Sequence, residues 1–122
     1  MIQWEEKIWG KVAHLFDESV SVSLLHVTTG FRCSIHYHQH RCNSFKVVEG
    51  CIDVVMFAMD GEVPVEISRV KLTPGDSFDV LPNFIHRFEV LASGKVVEVY
   101  WTLDGSPVDL NDIVRLDEGG KL

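Results

Sequence analysis

A chain of 122 residues, 46% of them hydrophobic, has the size for one compact domain with a real core, and 24% charged residues mark it as globular rather than disordered. The formal net charge of −7, with no basic run, excludes the clustered Lys and Arg that nucleic acid or an anionic bilayer surface requires. No apolar run is long enough to cross a bilayer, and Glu5, Glu6 and Lys7 fall where a secretory signal would be apolar, so a cytoplasmic protein is expected.

The first ten residues carry Ile2, Trp4, Ile8 and Trp9 at a spacing that fits neither strand nor helix. Such an aromatic end either covers the mouth of a barrel or packs on a second subunit. Residues 20–27 begin by alternating apolar and polar side chains and predict a strand, and residues 31–37 predict the next. Because alternate strand residues share a face, His36 and His38 project together, with Ser34 and Arg32 behind them. Residues 39–43 have the composition of a turn, so His40 need not share that face. A strand over residues 44–49 ends at Gly50, another covers 52–59, and Asp60-Gly61 is a hairpin signal that returns the chain over 63–70.

Residues 73–76 turn the chain into a strand at 78–81, Pro82-Asn83 turns it again, and His86 opens a strand to Leu91. Ala92-Ser93-Gly94 links that strand to a last one over 95–101. About eight short strands at regular intervals indicate an all-β sandwich or barrel. Residues 109–114 read as a single capped turn of helix. Cys33, Cys42 and Cys51 are odd in number and fit neither a zinc knuckle nor a paired framework, so they read as reduced thiols. The Cys42 side chain should point away from whatever Asn43 faces.

Two imidazoles one strand-step apart can chelate one ion, but a metal needs a further ligand from elsewhere in the chain, and His86 is the outside choice. Residues 30–50 resemble the first motif of the cupins, which reads Gly, five residues, His-x-His, three or four residues, Glu, six residues, Gly. Gly30, His36, His38 and Gly50 fall in place, with Asn43 at the Glu position. The second motif, Gly, five residues, Pro-x-Gly, two residues, His, is similar to the stretch from Gly75 to His86, with Leu81 and Asn83 at the Pro and Gly positions and Pro82 shifted by one. Within that family, the run from Arg32 to Arg41 is similar to the type II phosphomannose isomerase and sugar-isomerase branch, and residues 97–99 and 112–116 resemble its closing segment. The resemblance spans residues 9–118. It departs at Asn43 and at the end, where Glu118-Gly119-Gly120-Lys121 stands in place of Tyr-Gly-Arg.

The resemblance implies a cupin-type double-stranded β-helix, a jelly-roll β-barrel, as a single domain over 1–122. It implies His36, His38 and His86 as metal ligands, with Asn43 at the place of a fourth, either ligating through its amide oxygen or leaving that position to water or substrate. Imidazole suits Zn, Fe or Ni, and Mn suits the site less because Asn43 neutralises less charge than Glu would. Glu98 resembles the Glu of the closing strand and shares a face with Tyr100; a carboxylate in a partly apolar barrel has its pKa raised toward working pH, as a base requires. His40, Arg32 and Arg41 are read as contacts to a phosphate or to sugar hydroxyls, and both arginines equally as surface ion pairs. Phe45 stands where the family has Trp and, with Val47 and Phe88, should line the interior. His14 and His26 read as structural.

The expected function is a metal-dependent isomerase of a sugar or sugar phosphate. A three-His iron-dependent dioxygenase and a non-catalytic small-molecule barrel are the alternatives. The expected partners are a small-molecule substrate and a second copy of the chain in a homodimer.

Overall fold

Two strands of unusual length organise the molecule: β6 (Arg41–Asp60) runs for 20 residues and β9 (Ile85–Thr102) for 18. A typical strand has about 5–6. The computed structural model describes residues 2–122, so Met1 lies outside the described residues. The remaining strands are β1 (Glu5–Lys7), β2 (Gly10–Asp17), β3 (Ser21–Val27), β4 (Phe31–Arg32), β5 (His36–Tyr37), β7 (Val63–Leu72), β8 (Ser77–Val80), β10 (Val114–Arg115) and β11 (Gly120–Lys121). No helix occurs among the described residues, and hence none long and apolar enough to cross a membrane.

β6 and β9 run antiparallel to each other for almost their whole length, and their register shifts only between Val47 and Ile52, around Gly50. Gly50 sits at φ 84°, and a Cβ there would meet the carbonyl oxygens of Ala92 and Ser93 at 2.5 and 2.6 Å. A Cβ on Gly94 would in turn run into the backbone of Glu49. Only glycine fits at either position. The pair of bends lets each long strand leave one wall of the molecule and continue in the facing wall.

One wall is therefore β1, β2, β3, the second half of β9, the first half of β6 and β8. The other is β7, the second half of β6, the first half of β9, then β4 and β5 with their partners β11 and β10. These two walls close around one core containing Leu25, Val27, Phe45, Val47, Ile52, Val54, Phe88, Val90 and Val96.

Strand alternation turns this topology into a gradient. Inward positions of β9 read His86, Phe88 and Val90 towards the bend, then Val96, Glu98 and Tyr100 away from it; those of β6 read Asn43, Phe45 and Val47, then Ile52, Val54 and Met56. On β3 they read Ser21, Ser23, Leu25 and Val27. The end with the two glycines is thus apolar, and the polar side chains gather at the opposite end.

Several expectations change in detail. The eight predicted strands become eleven: the pairs 44–49 with 52–59 and 86–91 with 95–101 are each one bent strand, the strand 31–37 divides in two, and β1, β2, β10 and β11 are strands that the sequence pattern does not mark. Gly50 and Gly94 are corners within these strands, not their ends. The predicted strand 31–37 is two short pieces, β4 and β5, since Cys33, Ser34 and Ile35 leave the ladder between them. Residues 109–114 form a turn, not a helix, closed by Asp112 N donating to Asp109 O at 3.1 Å. The Asp60-Gly61 hairpin and the Pro82-Asn83 turn are present, and Asn83 takes φ 69°, a left-handed conformation that asparagine tolerates where the motif has glycine. The aromatic N-terminal end covers the barrel mouth: Trp9 packs edge-to-face on Phe88 at 5.1 Å, and Glu5 to Trp9 border the main cavity.

Candidate metal and ligand site

His36 is placed by β5, His86 by the start of β9, and the two are direct cross-strand partners. His38 follows β5 and is held by Asn83 N donating to its carbonyl at 2.7 Å, so the turn of the second motif is fastened to the strand of the first. All three rings are buried, at 7%, 2% and 0% exposure. Their ligand atoms lie within 4.8 Å of one another.

Each ring has its Nδ1 against a main-chain carbonyl: His36 on Ser34 O at 2.7 Å, His38 on Asp112 O at 2.8 Å and His86 on Phe84 O at 2.9 Å. A carbonyl oxygen only accepts, so each Nδ1 carries the proton and each Nε2 presents a bare lone pair. At His38 the Nε of Arg41 also approaches Nδ1, at 3.0 Å. The carbonyl asks for a proton on Nδ1 and the guanidinium asks for a lone pair there, so the tautomer that satisfies Asp112 O leaves Arg41 Nε without an acceptor.

Burial depresses all three imidazoles: His36 falls well below its ordinary range, helped by its two His neighbours; His38 falls to about 3, helped by Arg41; and His86 falls to about 4. Neutral rings with bare Nε2 atoms are the protonation state that a metal requires.

The structure supports a fit to an ion through what is left unpartnered. Nε2 of His38, Nε2 of His86 and Oδ1 of Asn43 are buried without a hydrogen bond. Three orphaned acceptors at one end of a barrel are costly unless something electropositive satisfies them. Ligands of one tetrahedral ion with bonds near 2.1 Å stand about 3.4 Å apart, so closure onto an ion asks the rings to turn slightly inward.

Asn43 lies opposite Tyr100 in the ladder, and its Nδ2 donates to Glu98 Oε2 at 3.2 Å. Burial raises the Glu98 carboxyl above its ordinary range, while hydrogen bonds from Asn43 and Tyr100 oppose the shift. Tyr100 is pushed well above its ordinary value by burial, then by the charge of Glu98. The Arg41 guanidinium stacks on the Tyr100 ring at 3.9 Å.

A cavity of about 680 Å³ opens over these groups, lined by His36, Arg41, Phe45, Glu98 and Tyr100 among others. Its volume falls within the range that holds small molecules, about 300–1,000 Å³.

The expected site residues therefore divide. His36, Arg41, Phe45, Glu98 and Tyr100 line the cavity, with His38, His86 and Asn43 clustered at the same end. Arg32 is engaged elsewhere, its Nη1 3.0 Å from Asp117 Oδ2, the ion pair that its type also suggested. His40 is exposed, and only its backbone N–H is engaged, by Asp112 Oδ2 at 2.8 Å. Cys42 and Asn43 do face opposite ways, and the three cysteines are free thiols, with burial pushing Cys33 up to about 12.

Three residues gain roles that the sequence concealed. Asp112 orients His38 through its carbonyl and clamps the turn after it, its carboxylate accepting from the backbone of Gln39, His40 and Arg41. His14 lines the cavity with Nδ1 3.0 Å from Ser23 Oγ, and Arg115 lines it beside His36, its cross-strand partner. In sequence Asp112 reads only as part of a helical turn and of the closing segment, and nothing marks its reach to a residue 74 positions earlier.

No family model matches the chain, and no curated protein is a significant match. Among solved structures, an RmlC-like cupin from Shewanella frigidimarina is similar at 26% identity and TM-score 0.69, over 91% of this chain and 88% of that one. KdgF from a Halomonas species is similar at 17% identity and TM-score 0.68, over 88% and 89%. CapF from Staphylococcus aureus reaches TM-score 0.71 at 20% identity over 96% of this chain but 34% of its own, so the chain spans about a third of that protein. The fold is that of the cupin β-barrels.

Proposed function

We propose that this chain is a metal-dependent enzyme that interconverts the aldose and ketose forms of a sugar or sugar phosphate. The observation that carries the reading is the adjacency of two things at one barrel end: three bare Nε2 atoms, and a carboxyl, Glu98, whose proton affinity is raised. His36, His38 and His86 would hold a divalent transition ion such as Zn, Ni or Fe, with Asn43 Oδ1 as a further oxygen donor. Bound there, such an ion would polarise a carbonyl oxygen and so acidify the neighbouring carbon.

Glu98 is the group that would take that proton and return it one carbon along. Its raised pKa lets it hold a proton during transfer, and the Asn43 amide, donating to Oε2, fixes the orientation of the carboxylate at the cavity wall. Trp9, Phe45 and Phe88 add apolar lining to the same cavity.

The absence of a carboxylate from the ligand set favours one second reading, a three-His iron dioxygenase. Metal analysis of the purified protein, followed by aldose–ketose assays with neutral and phosphorylated sugars, separates the two. The isomerase reading expects turnover with zinc or nickel, lost about 10²–10⁴-fold in Glu98→Gln with metal content unchanged. Turnover that survives Glu98→Gln, or oxygen uptake by the iron form without sugar interconversion, overturns it. His86→Ala should abolish stoichiometric metal in either case.

The proposal includes a homodimer, supported by the exposed apolar row Val63, Val65 and Ile67 on the edge strand β7. Sedimentation equilibrium of the purified protein checks it.

A further inference from the structure

Three of the other four arginines have a carboxylate partner. Arg32 meets Asp117 at 3.0 Å, Arg87 meets Glu89 at 2.6 Å, and Arg69 meets Glu66, Asp53 and Glu89 at 2.7–2.9 Å. Arg41 has none, although it is more deeply buried than any of them, at 4% exposure. Among the described residues no carboxylate lies within ion-pairing distance of it.

Its guanidinium has the face of Tyr100, a 3.4 Å contact from Nη1 to Asp109 O, and the Nδ1 of His38, which already serves Asp112. Its charge acts on Glu98, in the same cavity, without pairing with it; a buried cation with no oxyanion in contact is costly, and a guanidinium presents five donors in a fixed fork suited to one. Arg41 also borders the cavity beside the His cluster. Across that cavity Arg115, on β10 next to His36, is exposed at the rim and likewise has no carboxylate partner.

We infer that the natural ligand is an anion whose carboxylate or phosphate group lies on Arg41 at the inner end of the cavity, with Arg115 guiding it in at the rim. Charge, rather than hydroxyl pattern, is then the first thing the site selects. The chain carries a net −7, so an unpaired guanidinium in its interior would otherwise have been easy to neutralise from within. The inference rests on the proposed function only in taking this cavity as the ligand site; it requires neither isomerisation nor a particular metal.

The test uses the purified protein in its metal-loaded form with three small probes at constant ionic strength: glycolate for a carboxylate, inorganic phosphate, and ethylene glycol as the neutral control. Binding is read from the Arg41 Nε–H and Tyr100 ring signals in NMR titrations, with metal content measured on the same samples. At least one anion should bind about tenfold or more tightly than ethylene glycol. Which of the two does so tells a carboxylate ligand from a phosphate. Arg41→Gln should erase that preference in the Tyr100 signal while Arg41→Lys keeps part of it, and Arg115→Gln should slow association while leaving the Arg41 response in place.

Arg41 and Tyr100 signals that ignore both anions, or an anion preference that persists in Arg41→Gln, overturn the inference. If Arg41→Gln does not fold, the wild-type comparison of anion with neutral probe decides alone. Anion binding by a protein that takes up no stoichiometric metal and interconverts no sugar leaves this inference standing while the metal-dependent function falls.

Discussion

Asn43 and Glu98 share one hydrogen bond, Nδ2 to Oε2 at 3.2 Å, and it sets the chemistry of both. The amide spends its donor on the carboxylate, which leaves Oδ1 bare among the imidazoles; the carboxylate gains a donor that favours its charged form and checks the rise that burial causes. Had Asn43 been the glutamate of the motif, two carboxyls would meet here, and one would be forced to keep a proton.

Replacing Asn43 by Leu should therefore raise the Glu98 pKa further, because the charged form loses a donor in a buried setting. A ¹³C NMR titration of the Glu98 carboxyl reads this directly. A midpoint that stays put or falls would show that the bond contributes nothing to the carboxylate.

The buried imidazoles make the metal-free protein acid-sensitive in a defined window. Their folded pKa values are depressed, to about 3 for His38 and about 4 for His86, against about 6.5 in an unfolded chain. Below pH 6.5 the unfolded chain takes up protons that the folded one refuses, so stability falls progressively, down to about pH 4 for the share of His86 and about pH 3 for that of His38. Glu98, with a raised pKa, acts in the opposite sense, favouring the fold at low pH and losing that contribution as pH rises. It is one group against three. The urea midpoint of the metal-free protein should be lower at pH 5 than at pH 7; equal midpoints would mean that the rings are not held neutral.

Gly50→Ala should destabilise the protein by about 2 kcal/mol or more, since it combines left-handed strain with a collision against Ala92 and Ser93. Gly61→Ala provides the comparison, with φ 63° but nothing within 4 Å of the added methyl, and should lose no more than about 1 kcal/mol. Urea denaturation of the two variants side by side measures the part owed to the crossing strands alone.

Arg69→Met should cost about 3 kcal/mol, because it strands the buried carboxylate of Asp53, which is 5% exposed and already has one oxygen unsatisfied. Glu89 suffers less, as Arg87 still holds it at 2.6 Å. Adding Asp53→Asn to Arg69→Met should restore part of the loss in the same urea assay. No restoration would place the cost in lost packing of the Arg69 stem instead.

The sequence made the metal constellation legible because its signal is local: His36 and His38 share a strand face, and His86 follows a turn that Pro82-Asn83 announces. Glu98 and Tyr100 were readable for the same reason, lying two apart on one strand. What stayed hidden depends on distant partners. The difference between Arg32, neutralised by Asp117, and Arg41, left without a carboxylate, is set by residues far along the chain, and the two side chains look alike in sequence. β2 escaped notice because Leu15 and Phe16 are apolar yet about half exposed, which blurs the alternation that Val12 and His14 would otherwise show. Gly50 and Gly94 read as ends because a bend and a stop require the same residue.

The glycine corners also separate two tasks along the barrel axis. Valine, leucine and isoleucine near those corners supply the water-averse nucleus, whereas the reactive groups stand on the far tips of the same two ribbons. Exchanging tip residues thus leaves the nucleus untouched, so this scaffold can be refitted for a new solute without first relearning how to fold.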